Sequence, residues 1–302
     1  MSRHFAFGDT ATVKILLNVA FLGILFSLTP VVHGNETDSS FRGSVGLQIY
    51  SLRDQIRQDG AKAFDFVKEQ GFKEVEIGLG NQYGMTREEL SSALNRLGIK
   101  ATAALGDFNA LLNRTDECID HARFFDIKYV GTAWVPHNTP FDEAQTLRIA
   151  ENFNTIGKRL KEAGIQFYYH IHGYEFYPYK DGQTLFDLLV EKTDPELVKY
   201  QMDVVWTIFP GQDPVKLLRK YPDRWISMHL KDLAKGVEGN LSGGTDVRND
   251  VPLGTGQADY PALLKAAQDI GIKQYFIEDE SPDVLNQIPQ SLKFLTTVKL
   301  PL

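Results

Sequence analysis

The sequence contains a single cysteine, Cys118, among 302 residues. One thiol cannot form an internal disulfide, and it cannot supply the several thiolates of a structural zinc site or an iron–sulfur cluster. Cys118 lies in a segment of helical pattern, where a buried structural thiol is the expected role. Because 43% of the residues are hydrophobic, an apolar core can hold the fold without disulfides.

Positive charge is also scarce. The formal net charge is −7 with histidine neutral, and the 32 lysines and arginines are scattered rather than clustered. Proteins that bind nucleic acid normally carry a basic stripe that contacts the phosphate backbone. The charge pattern therefore predicts no nucleic-acid partner and leaves a small molecule as the expected ligand.

No Gly-x-Gly-x-x-Gly motif follows the first apolar run, which argues against a dinucleotide-binding fold. No linker or change in composition divides the chain beyond about residue 44. We therefore expect one domain over residues 44–302. The sequence is compatible with a homo-oligomer but does not specify one.

The first 34 residues differ from the rest. Arg3, His4 and Lys14 precede an apolar run over residues 15–26, and small residues near Gly34 lead into a polar segment. This pattern is typical of a secretory signal peptide, so we expect a periplasmic or secreted protein without stable membrane insertion after cleavage. An uncleaved anchor is the alternative, although the run is short for a spanning helix.

The remaining chain alternates short apolar runs with segments of helical period. Thr86 and Glu89 predict a capping box, and glycines follow four of the helical segments at positions 71, 98, 164 and 271. The pattern predicts eight strands, at 45–50, 74–77, 100–105, 128–133, 166–170, 198–203, 225–229 and 274–278. Eight strand–helix units in about 260 residues predict a (β/α)8 TIM barrel, with a doubly wound open sheet as the alternative.

Four successive strands of the second half end in residue types that bind metals. In either architecture these strand ends meet at one edge of the sheet. A single aspartate or histidine at such a place is more often a helix cap or a buried polar residue, but a set of four predicts a cation. Mixed carboxylate and imidazole ligands suit Mn²⁺, Mg²⁺, Co²⁺ or Zn²⁺. The candidates are His170, His172, Glu175, Asp203, His229 and Glu278.

The chain resembles the xylose-isomerase-like TIM-barrel superfamily of sugar isomerases and epimerases. The resemblance rests on motifs in family order from about residue 44 to the C-terminus, namely LQIYSLRD at 47–54, YHIHGYEF at 169–176, MDVVW at 202–206, HLKD at 229–232, PLGTG at 252–256 and IEDE at 277–280. It implies one divalent metal ion held by Asp203, His229, Glu278 and an acidic residue of strand five. We predict Glu175 as that fourth ligand, although either His170 or His172 could replace it.

The resemblance also implies proton transfer next to a sugar carbonyl, through an enediolate that the metal stabilises. His170, His172, Glu76 and Lys231 are the candidate catalytic groups. A salt bridge is the alternative role for Glu76 and for Lys231. The third strand, which ends in Ala104-Leu105-Gly106, lacks the histidine that relatives often carry there.

Export favours a non-phosphorylated sugar or keto-sugar as the substrate. Isomerisation, epimerisation and β-elimination from a 3-keto-glycoside need the same metal and base, so the residues do not separate them. A nuclease of the endonuclease IV type would need more metal ligands and a basic groove. A sugar-binding protein without catalysis is the alternative from another class.

Overall fold

A computed structural model describes residues 39–80 and 84–301 of the chain. Eight parallel strands form a closed barrel, in the order β1-β10-β7-β6-β5-β4-β3-β2 around the ring. This architecture is a TIM barrel, which confirms the predicted fold class and excludes the open sheet. The barrel strands are β1 (Ser44–Gln48), β2 (Glu74–Gly78), β3 (Lys100–Leu105), β4 (Tyr129–Thr132), β5 (Gln166–His170), β6 (Val198–Asp203), β7 (Trp225–Leu230) and β10 (Gln274–Ile277).

Helices cover the outside of the barrel and bury its outward-facing apolar side chains. Helix α2 begins at the predicted capping box of Thr86 and Glu89, and Gly98 ends it in the left-handed conformation. The helices are α1 (Arg53–Glu69), α2 (Arg87–Leu97), α3 (Phe108–Asn113), α4 (Thr115–Phe124), α5 (Glu143–Glu162), α6 (Leu185–Lys192), α7 (Val204–Ile208), α8 (Pro214–Lys220), α9 (Tyr260–Asp269) and α10 (Val284–Thr297). Cys118 is buried in α4, as expected.

Two local departures from the predicted elements have clear causes. The first strand ends at Gln48, two residues early, because the Gln48 side chain accepts a hydrogen bond from the Tyr50 backbone and starts a 3-10 turn. Helix α1 starts at Arg53, well before the helical segment that the sequence pattern predicts over residues 61–70. It has a break at Asp59, whose carboxylate accepts a hydrogen bond from the Lys62 backbone. In both places one polar side chain competes with the regular backbone pattern.

A small antiparallel ribbon was not predicted from the sequence. Strand β8 (Asp232–Leu233) pairs with β9 (Asp250–Val251) beyond the end of β7. Each strand has only two residues, so neither shows a hydrophobic period. The ribbon closes the loop of residues 234–249 over the mouth of the barrel.

The predicted signal peptide, residues 1–34, lies outside the described residues. Within the described part of the chain, no helix is both long enough and apolar enough to cross a membrane. Ser40 pairs with Lys299 in an isolated bridge, so the described body begins a few residues before the predicted boundary at Ser44.

Gly157 of α5 packs closely against the backbone just before β6. A Cβ atom there would lie 2.5 Å from the backbone oxygen of Leu197. We expect Gly157→Ala to lower the free energy of unfolding by about 2 kcal/mol, because overpacking outweighs the gain in helix propensity. Urea denaturation measures this change.

Gly60→Ala in α1 is the matched control, since its Cβ would meet only the flexible side chains of Met85 and Ile56. Equal stability of the two variants would contradict the proposed close contact at Gly157.

Candidate metal centre and substrate pocket

Four buried side chains meet at the carboxyl ends of the strands. His170, Asp203, His229 and Glu278 each offer a ligand atom, and these atoms all lie within 4.8 Å of one another. They come from β5, β6 and β7 and from the residue that follows β10. Alternate residues of a strand point to the same side, so strand ends in matching register form one layer inside the barrel.

Asp203 serves as both helix cap and cluster member. Its Oδ1 accepts a hydrogen bond of 2.8 Å from the Trp206 backbone and thereby starts helix α7. Its Oδ2 is buried and has no hydrogen-bond partner among the described residues. Burial raises the pKa of Asp203 to about 7. A buried carboxylate oxygen without a donor is an expected ligand for a cation.

His229 lies between two carboxylates. Its Nε2 is 2.5 Å from Oε2 of Glu76, and its Nδ1 is 3.1 Å from Oε2 of Glu278. Burial alone would lower the pKa of His229, but Glu76 and Glu278 raise it to about 10. Nδ1 also lies 3.9 Å from Oδ2 of Asp203, so this nitrogen faces the centre of the cluster.

His170 is the strand-five member of the cluster. Its Nδ1 lies 2.9 Å from Oε1 of Gln201, and its ring centroid lies 4.5 Å from that of His229. Burial, followed by the charge of His229, lowers the pKa of His170 well below its ordinary value. A neutral imidazole is the form that binds metals.

Glu175, the predicted strand-five ligand, lies outside this cluster. It belongs to a 3-10 turn after the strand, where its Oε1 accepts a hydrogen bond of 2.8 Å from the His172 backbone. Burial raises the pKa of Glu175 to about 7. His170 therefore takes the place in the cluster that we had assigned to Glu175, because it follows the inward alternation of the strand.

Glu76, a predicted catalytic group, does not line the pocket. It is completely buried beneath the cluster, where both carboxylate oxygens accept hydrogen bonds from side chains of other strands. This position suits support of the cluster better than proton transfer to a substrate.

Lys231 lines the pocket and is surrounded by carboxylates. Its Nζ lies 2.5 Å from Glu280, 3.5 Å from Asp250 and 3.8 Å from Glu278. Burial alone would lower the pKa of Lys231, but these carboxylates raise it well above its usual value. Lys231 is thus a fixed positive charge beside the cluster, and the predicted salt-bridge role is present together with access to the pocket.

His172 forms part of the pocket wall. Its ring stacks on Trp206 with centroids 4.5 Å apart, and its Nδ1 has no hydrogen-bond partner among the described residues. Burial, with a contribution from the Lys231 charge, lowers the pKa of His172 to about 4. Burial and Lys231 therefore favour the neutral form of this imidazole.

The pocket above the cluster has a volume of about 570 Å³. This volume lies in the range of small-molecule sites. Tyr50 and Trp206 give it apolar surface, and Gly243 to Thr245 of the loop over the mouth form one side. A larger cavity of about 660 Å³ lies among the starts of the strands, at the opposite end of the barrel from the cluster.

Several residues of the site had no individual signal in the sequence. Gln201, Asp250 and Glu280 contact the cluster or Lys231, but an isolated glutamine or acid resembles many surface residues. Gln201 could have been found from its spacing, because it precedes Asp203 by two residues and therefore shares its side of the strand.

Comparison with known proteins agrees with this geometry. A family model described as xylose isomerase-like TIM barrel matches residues 64–298. The chain belongs to this family.

Curated relatives include inosose dehydratases. That of Clostridium perfringens (strain 13 / Type A) is 28% identical over 262 residues, which cover 76% of this chain and 85% of that protein. That of Clostridium tetani is 36% identical over 99 residues, and the match spans only about a third of either protein.

Solved structures share the fold. A sugar phosphate isomerase/epimerase from Parabacteroides distasonis superimposes with a TM-score of 0.71 at 22% identity, covering 85% of this chain and 94% of that one. A xylose isomerase-like TIM barrel protein from Mycobacterium smegmatis in complex with magnesium superimposes with a TM-score of 0.64 at 15% identity. The match covers 84% of this chain and 95% of that one.

Metal titration would decide whether His170 or Glu175 is the ligand from this part of the chain. We expect His170→Gln to weaken Mn²⁺ binding more than about tenfold, because it removes an imidazole from the cluster. Glu175→Gln keeps the acceptor for the His172 backbone and should bind Mn²⁺ as tightly as the unchanged protein. Isothermal titration calorimetry measures both affinities, and the opposite order would restore Glu175 as the ligand.

Glu175 also predicts a dependence of stability on pH. Its pKa is raised on folding from 4.5 to about 7, so the folded state binds more protons than the unfolded state between these values. Its contribution to stability is fully present below about pH 4.5 and is lost as the pH rises through about 7. Relative to Glu175→Gln, the unchanged protein should lose about 3 kcal/mol between pH 4.5 and pH 8.

Urea denaturation at the two pH values measures this difference. Glu151→Gln on the exposed side of α5 is the control, and its free energy of unfolding should equal that of the unchanged protein at both pH values. A constant difference between Glu175→Gln and the unchanged protein would show that Glu175 does not titrate in this interval.

Proposed function

We propose that this protein is a divalent-metal-dependent enzyme that removes a proton from the carbon next to a carbonyl group of a non-phosphorylated sugar or keto-sugar. Return of the proton to a different position or face makes it an isomerase or epimerase. The observation that carries the proposal is the buried cluster of His170, Asp203, His229 and Glu278. Its members His170 and Glu278 also line the pocket.

The cluster fits a divalent metal ion. Two carboxylates and two imidazoles converge in a buried space, and one oxygen of Asp203 has no donor among the described residues. These four side chains would hold Mn²⁺, Mg²⁺, Co²⁺ or Zn²⁺. The ion would supply positive charge that polarises the substrate carbonyl and stabilises the enediolate. Magnesium is present in the Mycobacterium smegmatis barrel of the same fold.

The charges of the pocket support an uncharged substrate. Of the described residues that line the pocket, Lys231 is the one lysine or arginine, and Glu280 and Asp250 already pair with it. Asp107 adds another carboxylate to the lining. A phosphate group would meet mainly negative charge here, whereas sugar hydroxyls can donate hydrogen bonds to these carboxylates. Export, which we propose from residues 1–34, would favour the same substrate class.

Proton transfer is assigned to residues of the pocket wall. His172 lines the pocket and its Nδ1 has no hydrogen-bond partner among the described residues, so we propose it as the base that takes the proton next to the carbonyl. Lys231 holds a substrate oxygen through its fixed positive charge. His170 and Glu76, which we had also considered as proton-transfer groups, are instead proposed to bind the metal and to support the cluster.

Elimination of water or of a glycosidic group is the second candidate reaction. The matches to inosose dehydratases favour it, since dehydration next to a carbonyl begins with the same proton removal. The same cluster and base would serve the cleavage of a 3-keto-glycoside by β-elimination. Product analysis distinguishes the reactions, because elimination releases water or an alcohol and isomerisation releases nothing.

Solvent deuterium exchange tests the proposal. With Mn²⁺ restored, we expect deuterium from D₂O to enter the carbon next to the carbonyl in at least one of a panel of aldoses, ketoses, cyclic ketoses and 3-keto-glycosides, as shown by NMR and mass spectrometry. Exchange into no member of the panel would overturn the enolisation chemistry. Exchange into sugar phosphates alone would overturn the proposed substrate class.

Asp203→Asn is the matched control, and its metal binding and exchange should be lost together. A protein that binds sugars without catalysis would give a different result. The unchanged protein would then show no exchange, and Asp203→Asn would lose the metal but keep its sugar affinity.

A further inference from the structure

We propose that Glu76 is a positioning residue that selects which nitrogen of each cluster histidine faces the metal ion. It presents Nδ1 of His229 and Nε2 of His170, the opposite nitrogens of the two rings. This inference rests on the metal centre of the proposed function and concerns residues beneath that centre.

The carboxylate of Glu76 lies in the interior of the barrel, and each of its two oxygens contacts two side chains. Oε1 accepts from the hydroxyl of Tyr168 at 2.5 Å and from the amide of Gln201 at 2.9 Å. Oε2 accepts from the amide of Gln48 and contacts Nε2 of His229 at 2.5 Å. Four other strands are joined through this one side chain, and no oxygen is left for a substrate.

His229 is oriented by Glu76 directly. Both oxygens of Glu76 already accept hydrogen bonds from amides, Oε2 from Gln48 and Oε1 from Gln201. The carboxylate is therefore the acceptor here, and the nitrogen that faces it carries a hydrogen. That nitrogen is Nε2. Nδ1 is directed at Oε2 of Glu278, 3.1 Å away, and at Oδ2 of Asp203, 3.9 Å away. Both carboxylates belong to the cluster, so Nδ1 is the nitrogen that would face a metal ion held there.

His170 is oriented through Gln201. The amide nitrogen of Gln201 donates to Oε1 of Glu76 at 2.9 Å and lies 3.0 Å from the hydroxyl of Ser227. Turning the amide around would place its oxygen against Oε1 of Glu76, which accepts hydrogen bonds here. The Gln201 oxygen must therefore face Nδ1 of His170, 2.9 Å away.

The consequence for His170 is the reverse of that for His229. Its Nδ1 carries the hydrogen that the Gln201 oxygen accepts, and its Nε2 keeps the lone pair that a metal requires. A carboxylate or carbonyl behind a ligand histidine is the usual means of fixing its tautomer. Here the buried carboxylate of Glu76 fixes the tautomers of two histidines. It contacts His229 directly and reaches His170 through the Gln201 amide.

The test uses the full chain loaded with Zn²⁺, which is diamagnetic, and ¹⁵N-labelled histidine. Long-range ¹H–¹⁵N correlation spectra distinguish a nitrogen that carries hydrogen from one that binds metal. We expect hydrogen on Nε2 of His229 and on Nδ1 of His170, with single histidine substitutions to assign the signals. Hydrogen on the other nitrogen of either ring would overturn the proposal without any variant.

Three variants separate positioning from general support of the fold. Glu76→Gln places an amide against several donors, so we expect both histidines to be perturbed and Zn²⁺ to bind about 10- to 100-fold more weakly. Gln201→Met should perturb His170 alone. Tyr168→Phe removes one hydrogen bond to Glu76 but contacts neither histidine, and it should leave the Zn²⁺ affinity and both tautomers unchanged.

The outcomes distinguish this inference from the proposed function. Absence of Zn²⁺ binding by the unchanged protein would overturn both. Zn²⁺ binding with equal affinity in Glu76→Gln and the unchanged protein would overturn the positioning role alone. Equal loss of affinity in Glu76→Gln and Tyr168→Phe would show that Glu76 acts only through stability, and it would overturn the proposal too.

Discussion

The burial of carboxylates at one end of the barrel is the constraint on which the rest of the site depends. Asp203 and Glu278 lie at the centre, and Glu76 is completely buried beneath them. A buried carboxylate is unfavourable unless a cation or several donors compensate it. The chain supplies part of this compensation from Lys231, whose Nζ lies 3.8 Å from Oε2 of Glu278, and from hydrogen bonds to Glu76.

Two layers of side chains meet this constraint, and each strand contributes to both. The residue two positions before a cluster member points to the same side and lies one layer deeper. In the deeper layer, Tyr168 and Gln201 donate hydrogen bonds to Glu76, Ser227 accepts one from Gln201, and Phe276 supplies an apolar ring. The pairs, deeper residue first, are Tyr168 and His170, Gln201 and Asp203, Ser227 and His229, and Phe276 and Glu278. His170 and Glu278 of the upper layer line the pocket, and the deeper layer lies beneath it in the barrel.

The fold followed closely from the sequence, since strand and helix periods are local properties. The strand limits at 100–105, 166–170 and 198–203 agree with the structure, and those of the other barrel strands differ by one or two residues. The short ribbon of Asp232 and Asp250 could not be predicted, because two-residue strands have no period.

The site followed from the sequence less completely. Asp203, His229 and Glu278 were placed together because each ends a strand and each matches a family motif. The strand-five position was assigned to Glu175 on chemical type, since an acid is the usual ligand there. The structure instead brings His170 into the cluster, while Glu175 is held in a turn by the His172 backbone.

The sequence by itself determined the order of strands and helices and which residues could ligate a metal, because periodicity and side-chain chemistry are encoded residue by residue. Only the tertiary structure decided which of these groups share a layer. Closure of the barrel sets the height of each strand end relative to its neighbours. It brings His170 level with the other three cluster residues, whereas Glu175 lies in the turn beyond the strand. It also brings Glu76 of β2 within 2.5 Å of His229 of β7, a contact between residues 153 positions apart in the chain.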